Sequence, residues 1–295
     1  MRATIIDGKY FAEKVTKEIS EKVKNLQAKN VFPCLAVILV GNNAASISYV
    51  SAKQKALKNC AISEKFFHLP ESISEDELLL LIDKLNADKS VHGILVQLPL
   101  PNHIRENKII LAINPEKDAD GFHPINAGKM LIGNKDECRY PLPCTPRGIL
   151  ELLKQNNIQT SGKNIVVVGR SNIVGKPIAV LLSQKEWNAT VTLCHSGTKN
   201  LEDYTRHADI LIVAVGRPNT ITKDMIKKDA CIIDVGVNRI PDVSKKNGFR
   251  LVGDVDFENA KEIASFITPV PGGVGPMTIA MLMQNTVELA ENTLA

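Results

Sequence analysis

The chain is 295 residues long, 44% hydrophobic and 23% charged, with a formal net charge of +4. That length suits two ordinary domains, and the composition excludes disordered, collagenous and coiled-coil classes. No block of Lys or Arg stands out, since Lys227-Lys228 and Lys245-Lys246 are isolated pairs, so a nucleic-acid partner is not expected. The longest apolar runs, such as residues 78–82, are far too short to span a bilayer, so a membrane partner is not expected either.

In chain order the pattern alternates helix and strand. Residues 7–29 carry Val15, Ile19, Val23 and Leu26 at helical spacing. Residues 34–40 are a continuous apolar run, as a buried parallel strand requires. A helix at 43–59 and a strand at 65–69 follow, then a helix at 74–86 opened by a Ser74/Glu77 capping box. Residues 92–98 read as a second buried strand and 104–113 as a helix. From 114 to 145 Pro, Gly and Asn become frequent and no period holds, which predicts a functional loop region and a domain crossing. Thr145-Pro146 then starts a helix to about residue 156, with Thr as N-cap and Pro at the first helical position. Strands are expected at 164–168, 190–194, 209–215 and 231–235, then a Pro/Gly loop at 268–276 and a terminal helix at 277–291. Repeated strand–helix units predict parallel sheets covered on both faces, in two α/β domains flanking a cleft. The expected division is 1–143, joined by the terminal helix 276–295, against a Rossmann-type domain at 144–275.

The six cysteines are Cys34, Cys60, Cys138, Cys144, Cys194 and Cys231. None has CxxC spacing, so no metal is expected. Cys34, Cys194 and Cys231 lie in apolar strand-like runs and read as core. The first eight residues carry no apolar leader, and scattered thiols fit the cytoplasm.

The run Ile165-Val-Val-Val-Gly169-Arg-Ser-Asn-Ile-Val-Gly175-Lys-Pro177 is a strand, a glycine turn and a helix start. Backbone N–H groups and a helix N-terminus there suit a pyrophosphate. Ser171 stands where the second glycine of GxGxxG belongs, and the last glycine comes one residue late. An ordinary βα turn would also fit that spacing. The next strand ends Cys194-His195-Ser196-Gly197-Thr198 without the acid that would hold a ribose 2′-hydroxyl. Arg170 and Ser196 could instead hold a 2′-phosphate, which favours NADP over NAD.

Tyr49 and Lys53 lie one helical turn apart on one face. Spacing alone favours an exposed lysine there, since Lys55 and Lys58 are close by. Gln97 puts an amide at the C-terminal end of a buried strand, where open α/β sheets place ligands; a bond to neighbouring backbone fits equally. Asp120 could accept two hydrogen bonds from an amino-pyrimidine edge, or belong to an Asp-Gly turn. His123 and His195 are general bases by type, but nothing pairs them with a nucleophile.

Taken together, these blocks resemble the methylenetetrahydrofolate dehydrogenase/methenyltetrahydrofolate cyclohydrolase family over almost the whole chain. The resemblance is carried by Val40-Gly41, Tyr49-Val50 and Lys53, by Gly93 to Pro101, Lys117 to Gly121 and Pro143 to Pro146, and by Val168 to Ser171. Asp234 to Arg239 and, most specifically, Ile267 to Thr278 complete it. It implies an NADP-dependent oxidation of methylenetetrahydrofolate followed by hydrolysis to 10-formyltetrahydrofolate. By the same resemblance Lys53 is the catalytic lysine with Tyr49 and Gln97 beside it, Val96 and Leu98 flank the folate, and Asp120 is the pterin-binding acid. Gly169, Arg170, Ser171, Ser196 and Val237 are implied nucleotide contacts. Pro271, Gly272, Gly273, Val274 and Gly275 form the loop that closes over the folate. A homodimer is implied as well. Many relatives carry a basic or aromatic residue where Gly197 stands, which leaves NADP preference resting on Arg170.

Overall fold

The computed structural model describes residues 2–133, 140–245 and 248–294. Cys138 and Lys246 lie outside the described residues. The elements run β1 (Thr4–Ile5), α1 (Gly8–Gln27), β2 (Cys34–Val40), α2 (Ala44–Asn59), β3 (Ser63–Leu69), α3 (Glu75–Ala87), β4 (Gly93–Val96), α4 (Glu106–Ala112), α5 (Pro124–Ile132) and α6 (Cys144–Gln155). They continue with β5 (Asn164–Val168), α7 (Gly175–Ser183), β6 (Thr190–Cys194), α8 (Leu201–Thr205), β7 (Ile210–Val213), β8 (Cys231–Asp234), β9 (Asn238–Pro241), β10 (Phe249–Val252), α9 (Phe257–Ala260), β11 (Phe266–Ile267) and α10 (Val274–Glu291). No helix among the described residues is long and apolar enough to cross a membrane.

Two compact units result. One gathers Glu13–Cys144 and Ile279–Ala295, the other Met1–Ala12 and Thr145–Thr278. The first unit holds a parallel sheet of order β3-β2-β4. Its middle strand, β2, is buried at every position, because it is covered on both faces. Helix α3 packs with Leu78, Ile82 and Leu85, one face at helical spacing. Its capping box forms as expected: Glu77 N donates to Ser74 Oγ at 3.2 Å, and Ser74 N donates to Glu77 Oε2 at 2.9 Å. The C-terminal part of α10 is buried nearly all round, from Ala280 to Ala290. Gly93 of β4 lies beneath it: a Cβ there would meet Leu35 at 3.0 Å and Thr286 at 3.7 Å.

The second unit holds a sheet of order β1-β11-β8-β7-β5-β6, all pairs parallel. The strand order reverses at β5, whose neighbours are β6 on one side and β7 on the other. That is the switch point where doubly wound sheets open a ligand crevice.

Several expectations are corrected. The stretch 114–145 is not all loop, for α5 lies inside it, started by a His123 cap with Pro124 at its first position and stopped by left-handed Gly133. The next helix begins at Cys144, so Thr145 is within its first turn rather than its cap. Helix α10 begins at Val274 rather than 277. Residues 1–12, expected with the N-terminal half, go with the nucleotide-binding half because Thr4 and Ile5 pair with Phe266 and Ile267. The antiparallel pair β9–β10 was not anticipated.

Candidate active site

Helix α2 is started by Asn43, whose Oδ1 accepts the N–H groups of Ala45 and Ser46. One turn further on it presents exposed Tyr49, then half-buried Lys53. Strand β4 ends at buried Val96, and Gln97 follows it. Lys53 Nζ donates to Gln97 Oε1 at 2.9 Å, and Gln97 Nε2 donates to the Leu98 carbonyl at 2.6 Å. The second bond fixes the amide so that its oxygen faces the lysine. Two N–H bonds of the ammonium find no protein acceptor among the described residues, so they are available to a ligand.

The loop after α4 carries Asp118 and Asp120, which do different work. Asp118 is buried and accepts N–H groups from Gly121 (3.0 Å), Phe122 (3.2 Å) and His123 (2.8 Å) and from the Asn126 side chain (3.0 Å). It is the clasp of the loop. Gly121 sits at φ +73°, and a Cβ there would lie 2.5 Å from the Leu142 carbonyl carbon, so only glycine fits. Among the described residues Asp120 has one weak protein donor, the Cys144 thiol at 4.0 Å. Burial raises the Asp120 carboxyl to about 6, with the nearby Lys53 cation opposing the rise and Asp118 adding to it. An acid with open acceptor oxygens beside a cation is suited to a ligand that donates N–H groups. Asn285 of α10, fully buried, donates to the carbonyls of Ala119 (2.8 Å) and Leu142 (2.9 Å) and so pins this loop from below.

In the other unit, β5 runs into Gly169 at φ +124°, where a Cβ would lie 2.2 Å from the Ala214 oxygen. A Cβ on Gly175 would lie 1.9 Å from the Gly169 oxygen. The late glycine thus lets α7 start against the end of β5. Ser171 Oγ accepts the N–H groups of Val174 (3.1 Å) and Gly175 (3.3 Å), which leaves its own proton to donate to a phosphate oxygen. Arg170, Ser196 and Val237 are exposed around this end of the sheet. The residues therefore fit a dinucleotide: a turn without side chains, a hydroxyl donor and a free guanidinium.

Pro271, Gly272 and Gly273 precede α10, whereas Val274 and Gly275 are in its first turn. The Gly272 carbonyl accepts the Lys9 N–H at 3.1 Å, and a Cβ on Gly273 would lie 2.6 Å from the Pro269 oxygen. Both histidines are used structurally: His123 Nδ1 accepts Ile125 N–H, and His195 Nδ1 accepts Gly197 N–H.

Sequence reasoning missed Asp118, Asn285 and a pair of buried acids, Asp234 and Asp254. Asp234 accepts the N–H groups of Gly236, Asp254 and Val255. Asp254 accepts those of Val215 and Gly216 and the Asn238 amide. Together they tie the loops after β7, β8 and β10. The one available signal was an acid within or just after an apolar strand, as in Asp234.

These features define a class: a two-unit α/β enzyme with a Rossmann-type nucleotide-binding sheet and a lysine–amide site at a strand end. The catalytic-domain model of the tetrahydrofolate dehydrogenase/cyclohydrolase family matches residues 6–120, and its NAD(P)-binding-domain model matches residues 143–294. The chain is 56% identical to the bifunctional protein FolD of Bacillus subtilis, over all of both chains. It superposes on the FolD dehydrogenase/cyclohydrolase of Campylobacter jejuni with a TM-score of 0.93 at 50% identity, covering 99% of each chain. The Trypanosoma brucei enzyme, solved with NADP and an inhibitor, gives 0.94 at 39% identity, covering 100% of this chain and 99% of that one. The chain belongs to the tetrahydrofolate dehydrogenase/cyclohydrolase family.

Proposed function

We infer that the chain runs both reactions of its family: NADP-dependent oxidation of 5,10-methylenetetrahydrofolate to the 5,10-methenyl compound, then hydrolysis to 10-formyltetrahydrofolate. The observation that carries this reading is the Lys53 ammonium, held 2.9 Å from the Gln97 oxygen at the end of β4. NADP, when bound, supplies the hydride acceptor. Gly169, Arg170, Ser171, Ser196 and Val237 are the residues that would hold it.

Asp120 accepts N–H bonds from the amino-pyrimidine edge and orients the pterin. Val96 and Leu98 flank it. Oxidation needs no strong general base, because the two nitrogens beside the reacting carbon stabilise the amidinium cation that forms; positioning is the protein's share. Hydrolysis does need proton transfer. Water adds to the cationic carbon and loses a proton; the adduct hydroxyl then loses its own proton as the formyl C=O forms and one C–N bond breaks, the released nitrogen taking a proton up, so that one proton is released overall. Lys53, in its neutral amine form, accepts a proton from the water or the adduct hydroxyl, and as the ammonium it gives one to the leaving nitrogen. Gln97 fixes Nζ and polarises the adduct, and the Tyr49 hydroxyl stands one turn away.

Two measurements test this. With NADP⁺, a progress curve that follows reduced nucleotide and methenyl compound separately should show the first without build-up of the second. Methenyl accumulating in step with NADPH would mean a dehydrogenase alone. Replacing Lys53→Met should abolish hydrolysis while folate still binds; an unimpaired cyclohydrolase would remove Lys53 from the mechanism. Family membership further supports a homodimer, to be checked by light scattering, and the buried cysteines, none of them in a disulfide among the described residues, fit a cytoplasmic enzyme.

A further inference from the structure

The folate-binding unit holds a second opening, a cavity of about 740 Å³, lined among the described residues by positions between 86 and 129, by Pro141, and by Leu289 of α10 and the two residues just after it. Its volume is within the range of small-molecule sites. It lies at the far end of β4 from the lysine site. His92 precedes the strand and Gln97 follows it, so the two are roughly 16 Å apart along an extended chain.

The polar groups there are mostly donors. Among the described residues that line it, Lys89, Lys117 and Lys129 are accompanied by a single carboxylate, Glu116. His92 Nδ1 accepts the Cys34 N–H at 3.2 Å, which puts the ring proton on Nε2. Burial, aided by the Lys117 charge, lowers the His92 pKa and keeps the ring neutral in that tautomer. Lys117 Nζ is held by the carbonyls of Leu85 (3.0 Å) and Asp88 (2.7 Å) at the end of α3, leaving one of its three protons for a ligand. A built donor set of this kind complements an oxyanion.

The cavity is also wired to the folate loop. Asn126, only 2% exposed, is part of its wall. The Asn126 amide donates to Pro115 O at 2.9 Å and to Asp118 Oδ2 at 3.0 Å. Asp118 in turn gathers the N–H groups that shape the loop around Asp120.

We propose that this cavity is an effector site for a small polyanionic metabolite, recognised through phosphate or carboxylate oxygens, whose occupancy is felt at Asp120 through Asn126 and Asp118. The coupling, though not the binding, rests on the assignment of Asp120 to the pterin.

Calorimetry with inorganic pyrophosphate, and separately with citrate, tests the binding at constant ionic strength. Saturating NADP keeps the nucleotide turn filled. One equivalent should bind per chain, and the double variant Lys89→Ala/Lys129→Ala should bind about tenfold or more weakly. Without probe, that variant should keep its kcat and KM. The preferred probe identifies the source chemistry: tighter pyrophosphate means a phosphate ligand, tighter citrate a polycarboxylate. In a parallel assay the probe should shift the KM for methylenetetrahydrofolate in the parent and not in the variant. Absence of binding by both probes, or equal binding by the variant, overturns the proposal; an unmoved KM with binding intact overturns its coupling to Asp120. Calorimetry needs no turnover, so a wrong pterin assignment would spoil the KM arm and leave the binding arm intact.

Discussion

Asp234 and Asp254 are buried side by side with no ion-pair partner among the described residues, and backbone N–H groups do most of the work of holding them. Asp234 is pushed up to about 7, mainly by burial and partly by Asp254, against the pull of its N–H donors. The sign of the consequence is fixed. The unfolded chain ionises this group near 3.8. Its contribution to stability is therefore complete below that pH and is lost as pH rises to about 7. Replacing Asp234→Asn removes the ionisation. Melting temperature measured across that window should then fall less with pH than in the parent; parallel curves would show that Asp234 does not titrate there. At this scale the sequence was legible where a motif dictates its own backbone geometry, as at Gly169, whose turn takes the positive φ that the strand–glycine–helix pattern requires; spacing alone left Lys53 an exposed lysine, and the roles given to Lys53, Gln97 and Asp120 come from the family resemblance. It was not legible for Asp118, Asp254 and Asn285, whose partners include backbone groups or side chains brought near only by folding. Asn285 is 166 positions from the carbonyl of Ala119 that it holds.

At the scale of the element, the glycine turn between β5 and α7 is the most constrained join. Gly175→Ala would drive a methyl into the Gly169 oxygen, a backbone atom that cannot swing away. Such overpacking costs about 1–3 kcal/mol and opens the turn that would face the phosphates. A thermal melt should show the loss, and titration should show NADP affinity falling by about tenfold or more. Unchanged affinity would mean that this turn does not hold the nucleotide. Long elements with one period were plain from sequence: β2, the α3 capping box and β5 all form as expected. Short or mixed ones were not. Strands β1 and β11 are two residues each, too brief to show any period. Helix α5 was hidden by its Gly- and Asn-rich surroundings, although Pro124 and Gly133 are ordinary start and stop signals. The first turn of α10 was masked by Gly275 and Pro276, residues that a helix tolerates only near its N-terminus.

For the whole molecule, two parallel sheets in two units followed from the alternation of strand and helix. The route of the chain between the units did not. If each unit opens independently, a ligand held by one will protect that one alone. NADP at about a hundredfold over its Kd adds about 2.7 kcal/mol to whatever binds it. Hydrogen exchange should then slow in β5, β7 and β8 and change little in β2, β3 and β4. Equal protection in both sheets would show that they unfold as one.

Thr4 and Ile5 pair with Phe266 and Ile267. On a ribosome adding about 5–20 residues per second, strand β1 therefore emerges roughly 10–50 seconds before the strand it pairs with exists. The loop that carries Asp120 likewise waits for Asn285, 166 positions further along the chain than the Ala119 carbonyl it holds. Neither unit can finish folding while most of the chain is still being translated. Each nascent molecule passes through a period with its sheet edge open and the seat of α10 unfilled, the state in which a newly made chain is most exposed to chaperones, proteases and copies of itself.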